Sequence, residues 1–169
     1  MKSAILVASR IVLAIAILCT LLFTFYQSSL TPEQSNEVSS GVSDVIEPVI
    51  PSDSDVGKKV HSNIGAIGHF TEFFFLGCFT SLYFSLVLTK DVRPSRSKFM
   101  FMLNSLTYGT VLAVVDESIQ ILSSRTSDVN DILVDSLGYL ISAGSVYVLY
   151  FVFFLVLKLI VRHNKKHRA

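Results

Sequence analysis

Three short stretches of this chain carry side chains of the kinds that move protons, hold cations or bind anions. They are His69 with Glu72, then Asp116, Glu117 and Gln120, then Arg125, Asp128, Asp131 and Asp135. A histidine beside a carboxylate suits general acid–base work, clustered carboxylates suit hard divalent cations, and an arginine forks onto phosphate or carboxylate. Their spacing brings them into register. Residues three or four apart share a helix face, so His69 meets Glu72 and Asp116 meets Gln120. Asp128, Asp131 and Asp135 form a stripe that continues through Gly138 and Ser142.

The elements that must position these groups are strongly apolar. Of 169 residues, 51% are hydrophobic and only 16% charged, with 13 Phe and no Trp. That is too few charges to coat a water-soluble globule and too much apolar surface for disorder. Four apolar runs stand out, at about 11–30, 64–89, 99–118 and 131–161. At about 1.5 Å per residue, roughly 20 helical residues reach across the hydrocarbon core of a bilayer. The expected fold is therefore an all-α integral membrane protein, a four-helix transmembrane bundle in one domain over 1–169, with 31–63 as an extracytoplasmic loop. The first run follows Lys2 and Arg10 as a signal peptide would. Its apolar core is long, however, and no small-residue cleavage pattern follows Tyr26, so it reads as an anchor.

Charge gives the orientation. The 27–62 segment has six acids against Lys58 and Lys59, whereas 90–98 has four bases and one acid and the tail is basic. With four spans, the N-terminus, the 90–98 loop and the tail share a side that holds eleven of the fourteen Lys and Arg residues. Lysine and arginine collect in the cytoplasm, which places both termini there and the chemical residues near the outer interface. One short surface helix is expected in the outer loop, around 38–46, and Gly65, Gly68 and Gly77 are expected to let helices approach closely. The net charge of +1 gives no reason to expect nucleic acid, and Cys19 and Cys78 lie in apolar runs without metal-ligand spacing.

Charges inside spans are costly, so the polar stripes should face the bundle interior. Asp128 and Asp131 suit the N-terminus of the last helix, where Asp128 can cap it. Asp116 and Glu117 approach a negative C-terminus, for which Arg125 is the nearest compensation and a bound cation the next. A plain ion pair between Arg125 and Asp131 or Asp135 is the simpler alternative. It would need only two or three of these residues, whereas three helices contribute here.

At these positions the sequence resembles the VanZ-like family of small bacterial membrane proteins. DESIQ, then Arg125, then DILVDSLGYLISAG resembles the family's acidic DE-x-x-Q, arginine and D-x-x-x-N/D-x-x-G pattern. This carries family positions onto Asp116, Glu117, Gln120, Arg125, Asp131, Asp135 and Gly138. GHFTEFFFLG resembles the second-helix motif with His69, and SSLTPEQSNEVSSGVSDVI is similar to the loop after the first helix. Where the family pattern has a Pro-Gly pair before the arginine, this chain has Ser123-Ser124. The resemblance implies a plasma-membrane protein of the bacterial cell envelope, associated in some members with resistance to antibiotics that bind peptidoglycan precursors.

Two functions follow as expectations. In the first, the site binds or modifies a lipid-linked envelope intermediate or a lipid headgroup. Arg125 and Asp128 are then substrate-binding, and His69, Glu72, Asp116, Glu117, Gln120, Asp131 and Asp135 are the catalytic set. No cofactor is expected, although a divalent cation such as Mg suits the carboxylates; the partners are membrane lipids or a lipid-linked cell-wall precursor. In the second, the chain is a non-catalytic protein that modulates another envelope component through its acidic outer loop. An ion conduit is less attractive, because few polar residues continue toward the cytoplasmic half.

Overall fold

A computed structural model of the chain describes residues 2–88, 97–126 and 128–166; most of the basic 90–98 segment, and Arg168 in the tail, lie outside them. The described residues form six helices and no strand: α1 (Lys2–Ser28), α2 (Pro32–Ile46), α3 (Asp55–Ser62), α4 (Ile64–Leu88), α5 (Ser97–Leu122) and α6 (Val129–Lys166). The long helices outrun the apolar runs that suggested them. α1 starts at Lys2 and includes Arg10, whose guanidinium donates to the Leu86 carbonyl at 2.7 Å. α5 continues to Leu122, which sets Asp116 and Glu117 more than a turn inside the helix.

The segment between α1 and α4, residues 29–63, folds more fully than the single short helix expected of it. α2 begins with Thr31 accepting from the Gln34 amide while the Gln34 side chain accepts from the Thr31 amide, with Pro32 in the first turn. This reciprocal cap satisfies two otherwise unpaired donors, and proline loses nothing at a position whose N–H has no helical partner. α3 is capped by Ser54. The two helices are pinned to each other: Ser43 Oγ donates to His61 Nδ1 at 2.5 Å, and His61 Nε2 donates to the Ile50 carbonyl at 2.9 Å, 3.2 Å from Glu47. Glu47 also accepts from the Ser52 amide and hydroxyl, which holds its carboxyl below its ordinary range. Ser43 lies within a helix whose amides are already bonded, so this serine, histidine and glutamate form a clasp rather than a nucleophile with an oxyanion hole.

α1, α4, α5 and α6 pack against one another, most intimately α4 against α6. Glycine makes that approach possible. A Cβ on Gly138 would come within 2.5 Å of the Phe70 carbonyl oxygen, and one on Gly77 would collide with Ser142 and the Tyr139 backbone. Gly65 and Gly68, expected to serve the same purpose, have no neighbour within 4 Å of such an atom and border open space instead. The core is small: Phe73, Leu76, Ala113, Tyr139 and Ala143. Apolar side chains such as Val12, Leu22, Leu149 and Phe151 point outward. Among the described residues, Ala4–Ser28 and Val129–Phe153 are long and apolar enough to cross a membrane.

The end of α5 explains the Ser123-Ser124 pair. The Arg125 amide donates to the Gln120 carbonyl at 3.1 Å and the Ser124 amide to Ile121 at 3.1 Å, closing the helix in a Schellman turn. Ser124 sits at φ 62°, the left-handed conformation that glycine adopts without a Cβ clash. The turn is thus made with serine where the family pattern has glycine. Ser124→Gly is expected to stabilise the protein by about 1 kcal/mol, seen as a raised unfolding midpoint in detergent. A lower midpoint would show that the hydroxyl matters more than the strain.

Candidate functional site

The polar residues meet at one end of the four long helices, and α1 contributes to the meeting. Thr24 and Ser28 lie one turn apart on α1, which, unlike the other three long helices, carries none of the titratable site residues singled out in the sequence, and both are buried. Ser28 Oγ donates to Asp116 Oδ1 at 2.5 Å. Gln120 Nε2 donates to Asp116 Oδ2 at 3.0 Å and lies 3.3 Å from His69 Nε2. An amide nitrogen only donates, so His69 Nε2 accepts and the ring proton sits on Nδ1. That nitrogen is 3.5 Å from Asp116 Oδ2 and 3.8 Å from Asp135 Oδ1. One glutamine therefore fixes both the spacing of His69 from Asp116 and the tautomer of the ring.

The other residues divide by task. Glu117 Oε1 accepts from the Asp128 backbone amide at 2.9 Å and so ties the α5–α6 connection to α5. Asp128 is exposed, and its carboxylate accepts from the Asn130 amide at 2.9 Å, capping α6 as expected. These bonds to Asn130 hold its carboxyl below the ordinary range. Asp135 is buried within the cluster, while Asp131, one turn toward the N-terminus of α6, is half-buried at its margin. Arg125 is half-buried as well, and among the described residues no carboxylate comes within ion-pair distance of it. The compensation for Asp116 and Glu117 thus comes from Ser28, Gln120 and a loop amide rather than from the arginine.

Several buried oxygens have no hydrogen-bond partner: Glu72 Oε2, Glu117 Oε2, Asp135 Oδ1 and Thr24 Oγ1. Native interiors leave few such atoms unpaired, and they concentrate where a protein binds something. His69 Nδ1 and one oxygen each of Asp116 and Asp135 lie within 4.8 Å of one another, a spacing that one cation can bridge.

Two grooves reach this polar floor. The larger, of about 550 Å³, runs beneath α2, whose Val38, Val42 and Ile46 form its roof; Phe23 and Ile64 form part of its walls, and His69, Glu72 and Arg125 line it together with the uncharged polar Gln27, Ser35, Ser39 and Thr71. The second, of about 450 Å³, follows the seam between α1 and α4 past Cys19, Phe75 and Phe79 and shares Phe23, Thr71 and Glu72 with the first. Glu72 lies where the two grooves meet, and His69 and Arg125 line the larger one alone. Sequence reasoning missed Thr24, Ser28 and the roof. The i, i+4 hydroxyls of α1 and the T-P-x-Q start of α2 were the available signals.

Comparison with known families gives one finding: the VanZ/LLP1 family model matches residues 13–158. No curated protein and no solved structure matches the chain.

Proposed function

The chain belongs to the VanZ-like family and is a membrane protein, and on that premise we propose that it is a cell-envelope protein whose polar site receives the headgroup of an anionic amphiphile, either a lipid-linked envelope intermediate or a phospholipid. In this reading α1, α4, α5 and α6 cross the plasma membrane as a four-helix bundle with both termini in the cytoplasm, and α2 and α3 lie over the outer surface. The observation that carries it is the 550 Å³ groove, apolar along most of its walls and lined at one end by His69, Glu72 and Arg125. Arg125, which among the described residues has no carboxylate within ion-pair distance, takes the phosphate or carboxylate. The acyl or prenyl tail follows the apolar walls and the α1–α4 seam, which opens sideways. Glu72, buried with an unpartnered oxygen, is the protonatable carboxyl of the groove, since Glu117 is engaged by the Asp128 amide. Holding or altering a cell-wall precursor in this way would connect the site to reduced susceptibility to glycopeptide-type antibiotics.

Cys19 provides the test, because it is exposed in the α1–α4 seam. In nanodiscs, addition of a short-chain lipid-linked precursor or an anionic phospholipid is expected to slow alkylation of Cys19, with little effect in a zwitterionic lipid alone. Arg125→Ala should raise the concentration needed by about tenfold or more, the worth of one charge-assisted hydrogen bond. Equal protection in the wild type and in Arg125→Ala would remove the headgroup reading. It would turn attention to the acidic face of the 27–62 segment as a contact surface for another envelope protein.

A further inference from the structure

We propose that His69, Asp116 and Asp135 form a binding site for one divalent transition-metal ion, Mn(II) or Zn(II). His69 Nδ1 stands 3.5 Å from Asp116 Oδ2 and 3.8 Å from Asp135 Oδ1, and the three ligand atoms all lie within 4.8 Å of one another. These separations are too long for a hydrogen bond, so a proton on Nδ1 does not satisfy both carboxylates. They do match the edges of a coordination polyhedron. Metal–ligand bonds of about 2.0–2.2 Å place neighbouring ligand atoms roughly 3–4 Å apart.

A second feature points to a ligand at the same place. Asp135 is 1% exposed, and its Oδ1, facing His69, has no hydrogen-bond partner; His69 Nδ1 is likewise buried and without one. Around them the packing is already that of an outer coordination shell. Ser28 Oγ holds the far oxygen of Asp116, and the Gln120 amide bridges Asp116 and the far nitrogen of His69. Such partners orient the primary ligands of a metal. Without an ion Gln120 favours the Nδ1–H tautomer; an ion on Nδ1 displaces that proton to Nε2, and the Gln120 side chain turns so that its Oε1 accepts from Nε2–H, giving up the bond to Asp116 Oδ2, whose charge the ion then neutralises. One nitrogen with two carboxylate oxygens favours a transition ion over Mg or Ca, which prefer all-oxygen shells.

The site does not depend on the amphiphile reading, since the ion is measured without added lipid. The full chain in detergent, stripped with a chelator and desalted, is titrated with Mn(II) by electron paramagnetic resonance, and its Zn(II) content is measured by elemental analysis after reloading. One ion per chain is expected, with modulation from an imidazole nitrogen in the Mn(II) spectrum. Affinity should fall at least tenfold in Asp135→Asn and in His69→Ala, and stay unchanged in Glu47→Gln, which lies on the surface segment. The nitrogen signature is read from the wild type, so it decides the matter even if a variant fails to fold. Folded wild type that retains no ion, an ion without nitrogen coupling, or binding indifferent to Asp135→Asn would each overturn the proposal.

Discussion

Gly138→Leu is expected to destabilise the protein by about 3 kcal/mol, whereas Gly144→Leu, six residues further along the same helix, should change stability by less than about 0.5 kcal/mol. The contrast follows from what lies opposite each position. A Cβ at 138 would meet the Phe70 carbonyl oxygen at 2.5 Å, a backbone atom that yields only if α4 moves, while a Cβ at 144 meets nothing within 4 Å. Phe70 immediately follows His69, so the same insertion displaces the imidazole from Asp116 and Asp135. Chemical unfolding in detergent measures the first effect, and loss of the Mn(II) nitrogen signature or of Cys19 protection reports the second. Equal destabilisation by the two substitutions would mean that α4 and α6 are not in backbone contact.

Ser28→Ala carries the second large expected effect, a loss of about 2–3 kcal/mol, although it removes one oxygen atom from a helix that holds none of the charged site residues. Alanine adds no bulk at this fully buried position and removes the hydroxyl that donates to Asp116 Oδ1. Asp116 is fully buried and retains only the Gln120 amide, so a carboxylate oxygen is left without a partner. Hydrogen bonds to charged groups are worth about 1.5–3 kcal/mol, and leaving the buried acceptor unpaired is the main part of that cost. Ser29→Ala is the control, because the Ser29 hydroxyl bonds only to the neighbouring helix carbonyl of Phe25 and is exposed. A drop in unfolding midpoint confined to Ser28→Ala supports the arrangement; equal drops would assign the effect to loss of any hydroxyl at this end of α1.

The parts of this architecture that were legible in the sequence are those set by periodicity and by the cost of burying charge. The apolar runs located all four long helices, and the spacing of His69, Asp116, Gln120 and Asp135 predicted that they share inward faces, where three of the four are fully buried and His69 nearly so. Asp128 was readable as a cap because capping is local chemistry. What depends on the register between helices was not readable. Nothing local says that Ser28 rather than Arg125 satisfies Asp116, since those residues lie 88 positions apart and the pairing is fixed by how α1 leans on α5. Gly65 and Gly68 show the same limit: small residues signal close approach, but only Gly77 on that helix faces a partner. The two helices between α1 and α4 were underestimated because few of their residues are apolar enough to show a strong period, although Thr31 and Gln34 carried the cap in plain view.

α1 is fastened at two points, by Arg10 to the Leu86 carbonyl and by Ser28 to Asp116. A one-turn piston stroke, about 5.4 Å, would break both fastenings together. The clasped α2–α3 unit is tethered at both of its ends as well, by residues 29–31 to α1 and by Asn63 to α4, so it covers the groove as one piece.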